Sequence, residues 1–202
     1  MSFWQRFRKN WIFNLFWIIF MVWSLTNYVS SRAERPAFDM TSIGQDLEAK
    51  GDLKGAFEQY QKAVKISPRF PYGLALLGNV YYKLGNDDKA LEQYKKALAI
   101  SPRHFWVHYL VGQLYRDQSH YAEAIAEFKE LITMKDNWYQ SNRFWGYIQY
   151  QNVAYGELGY CYAKIGDRKN TTASYEKYLT LNPSAPDARE VSQYLQRLKD
   201  GQ

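Results

Sequence analysis

A chain of 202 residues has room for one domain with an appendage, not for several independent domains. Its net charge of +6 is uneven: residues 1–36 carry five cations against one carboxylate, and the rest is nearly neutral, which argues against a nucleic-acid surface. A single cysteine, Cys161, excludes an internal disulfide, and 18 Tyr with 7 Trp supply enough rings for surfaces as well as a core.

After a basic and aromatic flank over 1–10, Trp11 to Val29 runs 19 residues without a charge. As a helix rising ~1.5 Å per residue this stretch spans about 28 Å, close to the ~30 Å hydrocarbon core of a bilayer. A single transmembrane helix over 11–29 is the expectation. Trp4, Trp11, Trp23 and Tyr28 at its ends suit the interfacial belts. Two other readings compete: a cleaved signal peptide ending near Ser31-Arg32-Ala33, and a helix packed on the rest of the chain. Arg6, Arg8 and Lys9 on one flank outnumber Arg32 and Arg35 on the other. The N-terminus is therefore placed in the cytoplasm and the remainder of the chain in a periplasm or lumen, as for a bacterial inner-membrane or thylakoid protein. Arg35-Pro36-Ala37 closes a linker over 30–36, because the residue before proline leaves the helical region.

From there the chain matches itself at a step of 34. Gly44, Gly78 and Gly112 obey it, as do Ala56, Ala90 and Ala124, the rings Tyr60, Tyr94 and Phe128, and Pro68 and Pro102. A fixed period of this length with helical patterning in each unit marks a stacked-helix solenoid. At Leu77-Gly78, Tyr81, Ala90, Tyr94, Ala97 and Pro102 the chain resembles the tetratricopeptide repeat family. The fold is then all-α: a transmembrane helix, about four helical hairpins over 37–185, and a capping helix.

The first hairpin covers 37–70, with Gly51 as the left-handed end of its first helix; the second covers 71–104. Gly78 and Ala90 bring no bulk to the helix crossing, Tyr81 and Tyr94 are expected to fill the space between neighbouring pairs, and Pro102 stops the second helix. The third covers 105–138 with Asp136 in place of the closing proline. Beyond it the step becomes 47, from Gly112 to Gly159, Phe128 to Tyr175 and Asp136 to Pro183. The fourth hairpin is therefore 152–185, and 139–151 is an insertion. Thr171 replaces its small alanine, at some cost in packing. The insertion holds Tyr139, Arg143, Phe144, Trp145 and Tyr147, either as an exposed contact patch or as an early start to the fourth hairpin's first helix. Over 186–202, Asp187 caps a helix whose Val191, Tyr194, Leu195 and Leu198 form one apolar stripe covering the last hairpin.

No catalytic constellation is apparent, and neither a cofactor nor a metal is implied. His104 and His108 lie four apart without a third ligand, His108 is read as a surface or groove side chain, and Cys161 as a small buried one. No glycine-rich loop follows a strand, and an enzyme is not expected. The resemblance implies recognition instead. In that family the first helices of successive pairs line a groove that receives a partner polypeptide. Carried over by position, the groove holds Gln45, then Tyr72, Asn79, Tyr82 and Lys83, then Trp106, Tyr109, Gln113 and Arg116, and last Tyr160 and Lys164. Rings with a few cations suit an extended, partly acidic segment or an apolar helix. Thr41 and Ala75 stand where lysines that clamp a C-terminal carboxylate would be needed, against a chaperone-tail receptor. Two functions remain: a membrane-anchored scaffold that binds a protein partner in assembling or stabilising a membrane complex, and a receptor that recruits a chaperone or secretion substrate. The first has a layout similar to that of assembly factors for membrane complexes.

Overall fold

The computed structural model describes residues 11–134 and 144–200, and the regular structure among them is entirely α-helical. In chain order the helices are α1 (Trp11–Ala49), α2 (Leu53–Ile66), α3 (Pro71–Lys83), α4 (Asp87–Ile100), α5 (Phe105–Asp117), α6 (Tyr121–Thr133), α7 (Phe144–Lys164), α8 (Arg168–Leu181) and α9 (Ala188–Lys199). They fall into two compact units, Met1–Gly73 and Leu74–Gln202.

In the first unit α1 and α2 form a hairpin. Gly51 turns the chain at φ +82° and the Asp52 carboxylate caps α2 by accepting from the Gly55 amide at 2.8 Å. Tyr60 is fully buried with its ring against Gly44, and its hydroxyl donates to Glu48 at 2.8 Å. The linker expected over 30–36 is absent. α1 is one helix of 39 residues that passes through Pro36. Proline removes only one amide donor from the ladder, and the helix on its far side is held by the packing of Ala37, Thr41 and Gly44, all buried. Among the described residues no helix is long and apolar enough to cross a membrane. Within α1, however, every residue from Leu15 to Leu25 is exposed, and all but Ser24 are large and apolar, at 45% to 66% exposure.

In the second unit the hairpins share one device. The rings of Tyr94, Phe128 and Tyr175 lie on Gly78, Gly112 and Gly159, where a Cβ would sit within 2.6 Å of a ring atom. Tyr94 therefore fills the seam inside its own hairpin, because the missing Gly78 side chain leaves a slot there. The turns repeat as well: Gly85 and Gly166 are left-handed, and Ser119 takes that conformation in the third hairpin at φ 60°. Between α6 and α7 the core is built from Ala124, Phe128, Leu131, Ala154, Leu158 and Cys161. Thr171 costs less than its substitution for alanine suggests, since its hydroxyl donates to the Asp167 carbonyl at 2.7 Å.

His108 is not a surface or groove side chain. It is 8% exposed, with Nδ1 2.7 Å from Glu127 and Nε2 2.9 Å from the Pro102 carbonyl. A carboxylate and a carbonyl only accept, so both ring nitrogens donate and the imidazole is held protonated. Burial works against that charge, but the bonds to Glu127 and Pro102 and the charges of Glu127 and Glu130 outweigh it and raise the pKa.

Tyr139 and Arg143 of the expected insertion lie outside the described residues. Phe144, Trp145 and Tyr147 belong to the first turns of α7, which begins well before the fourth hairpin's own start. Tyr150 on the same extension packs against Tyr109 and Phe105, with ring centroids 4.9 and 5.8 Å apart. Asp187 sits at the N-cap of α9 but makes no capping bond there, because its carboxylate accepts from the Tyr178 hydroxyl at 2.6 Å.

Candidate functional site

A cleft of about 410 Å³ opens in the second unit between α5, α7, α8 and α9. α5 contributes Arg116 and Asp117 from its last turn. α7 contributes Val153, Gly156, Glu157 and Tyr160, one face of the helix at spacings of three and four. Tyr175 and Tyr178 of α8 form the third side, and Asp187 with Val191 at the start of α9 form the fourth.

The polar groups form a connected chain. One guanidinium nitrogen of Arg116 donates to both Glu157 oxygens, at 2.7 and 2.5 Å, and Nε donates to Asp117 at 2.8 Å. The Tyr82 hydroxyl of α3 donates to Asp117 from the other side. Three successive first helices are thereby stitched together along one line. Burial weakens the Arg116 charge, but Glu157 and Asp117 outweigh it and lift its pKa, so it is always protonated. Burial and the bond to Asp117 push the Tyr82 hydroxyl up to about 12, and burial and the bond to Asp187 do the same for Tyr178.

Of the side chains expected in a groove, the cleft gathers Arg116 and Tyr160. Tyr82 adjoins it through Asp117, and Lys164 lies over the Tyr160 ring, 5.2 Å from its centroid. Tyr109 is half-buried. Its ring packs on Phe128 and Tyr150 and its hydroxyl accepts from Gln113 at 3.0 Å. Trp106 and Asn79 are half-buried, and Lys83 is exposed at the end of α3. Gln45 and Tyr72 belong to the first unit, where the Gln45 amide donates to the Tyr72 hydroxyl at 2.9 Å.

The remaining lining residues were missed, although the repeat register held their signal. A step of 47 puts Val153 in the row of Tyr72 and Trp106, and Asp117 shares the row of Lys83 and Lys164. The same step sets Gly156 in the row of Thr41, Ala75 and Tyr109, with the Tyr178 ring against it, and Glu157 opposite Leu76 and Leu110, both buried. A carboxylate where the second and third hairpins carry leucine is a departure that a scaffold alone does not need.

Residues 44–85 and 78–119 match the family profile described as TPR repeat, and 107–137 and 153–184 match that described as tetratricopeptide repeat. Together these take in more than half of the chain. The chain belongs to the tetratricopeptide repeat family. Such repeats are typically scaffolds without catalytic activity and imply protein partners. The fold is similar to that of PilF from Pseudomonas aeruginosa, at 21% identity and a TM-score of 0.71 over 84% of this chain and 71% of that one. It is also similar to a MamA protein, at 22% and 0.63 over 82% and 83%, and to MamA from Desulfovibrio magneticus RS-1, at 17% and 0.61 over 83% and 97%. At these identities the likeness carries the fold. No curated protein matches the chain.

Proposed function

We propose that this tetratricopeptide repeat protein is a membrane-anchored scaffold that holds a protein partner while a membrane complex is assembled or stabilised. The observation that carries the reading is the exposed run Leu15–Leu25. A helix apolar on every face is stable only when something apolar surrounds it. The run is the middle of the uncharged stretch Trp11–Val29, whose length suits a bilayer. Tethering confines scaffold and partner to one surface and raises their effective concentration, so weak contacts in the cleft suffice. With three cations before the stretch and two after it, the N-terminus is cytoplasmic and the repeats lie across the membrane, in a periplasm or lumen.

Alkaline carbonate extraction of membranes, together with a folding reporter fused after Gln202, tests this. The protein should stay in the pellet and the reporter should be active outside the cytoplasm. Release into the supernatant overturns the anchor, and a reporter active only in the cytosol overturns the orientation.

A further inference from the structure

We infer that the cleft seats a cationic side chain, a lysine or arginine flanked by apolar residues on the partner polypeptide. This rests on the scaffold reading above and names the chemistry that its site selects.

Charge complementarity decides the occupant. Asp117, Glu157 and Asp187 face the cleft against one cation, Arg116. That guanidinium is committed to Glu157 and Asp117, so it offers nothing to an acidic ligand. The Tyr82 and Tyr178 hydroxyls donate to Asp117 and Asp187 without cancelling their charge. Formal negative charge is left in excess at the cleft, with Asp117 and Asp187 exposed at its rim and Glu157 half-buried, and draws a cation toward it.

The walls fit the same ligand. Tyrosine faces attract cations, and Tyr160 already does so, with Lys164 over its ring at 5.2 Å. Lys164 is itself exposed and is not part of the lining, so its ammonium can swing away into water. Val153 and Val191 give the apolar stem of a long basic side chain, and its neighbours, a surface to cover. Gly156 lets the Tyr178 ring on the cleft's third side lie close against α7, and the charge comes from Glu157, which stands where the preceding hairpin carries Leu110. That departure falls on the helix face that lines the cleft, and it changes the charge there in the sense a cationic side chain requires.

The test is an NMR titration of the full chain in detergent micelles, following the amide resonances of Val153 and Gly156. The probe is a capped tripeptide with arginine between two valines, run against the same peptide with norleucine or glutamate at the centre. The arginine peptide should shift both resonances with a dissociation constant on the order of 0.1–1 mM. Norleucine should weaken binding at least about fivefold, as should Asp187→Asn, which keeps an acceptor for Tyr178 but removes the charge. If the norleucine or glutamate peptide binds as well as the arginine one, or Asp187→Asn binds unchanged, the cationic assignment falls while the cleft still stands as a docking site. If none of the three moves these resonances, the cleft is not a seat at all and the scaffold reading loses its site with it.

Discussion

Arg116 and Glu157 join α5 to α7 through one guanidinium nitrogen shared between both carboxylate oxygens, at 2.7 and 2.5 Å, with only 24% and 13% of the two side chains exposed. Half-buried pairs of this kind gain little over apolar packing but are costly to break singly, since one charge is then left without its partner. Glu157→Leu alone should destabilise the protein by about 2–4 kcal/mol. The double change Arg116→Met with Glu157→Leu restores the leucine of the second and third hairpins and should recover stability to within about 1 kcal/mol of the wild type. Urea denaturation followed by circular dichroism measures both. The same double variant removes one cation with one carboxylate, leaves the charge of Asp117 and Asp187 in excess, and should still bind the arginine peptide, which separates the pair's part in folding from the cleft's part in recognition.

Ser119 is the one described residue other than glycine with positive φ, in a turn where Gly51, Gly85 and Gly166 serve the other hairpins. A side chain in that conformation costs about 1–2 kcal/mol, and glycine does not incur it. Part of the gain from replacing it is cancelled by the greater freedom of glycine in the unfolded chain. Ser119→Gly should therefore stabilise by about 0.5–1 kcal/mol, although it forfeits an exposed bond of 3.2 Å from the Tyr121 hydroxyl. Gly85→Ser should cost a similar amount. The two melting curves should move in opposite directions.

His108 makes stability depend on pH. Its folded pKa is raised above the unfolded value of about 6.5, so its contribution is complete below that pH and is lost as pH rises through the folded pKa. Glu127→Gln removes the charge that stabilises the imidazolium. It should lower stability by about 1–3 kcal/mol at mildly acid pH and flatten the decline toward alkaline pH. A denaturation series in which the variant keeps the full wild-type slope would contradict the assignment.

Tyr109, expected from the repeat register to face a partner, belongs to the seam with Phe128 and Tyr150. Tyr109→Ala should cost about 2–4 kcal/mol of stability, whereas Tyr109→Phe, which loses only the bond from Gln113, should cost about 1 kcal/mol. Thermal melts of the two variants distinguish a ring that supports the fold from one that only meets a ligand.

These outcomes show how far the sequence reaches. Periodicity in Gly78, Ala90 and Tyr94 reports packing inside one hairpin, and such packing recurs wherever the residues recur, so the solenoid was legible. Pro36 misled because proline forbids helix only locally, and the burial of Ala37 and Thr41 beyond it is tertiary. His108 misled for a related reason. It was read as a side chain open to a partner, and it is held by a carboxylate, Glu127, that comes from another helix and not from a neighbour in sequence. Glu157 itself was visible only as a departure from Leu76 and Leu110 of the two preceding hairpins, a signal that depends on carrying the register across the insertion.

The central claim, a tethered scaffold whose second unit holds a polypeptide in the cleft, is tested most directly by photocrosslinking in intact membranes. A benzophenone side chain placed at Val153 lies in the cleft, and one at Lys177 on α8 lies outside its lining. The account predicts a discrete adduct with one protein from Val153 that is absent from Lys177 and disappears when Asp117→Asn and Asp187→Asn are introduced together. Equal adducts from both positions, or an adduct from Val153 that survives the double change, would contradict it.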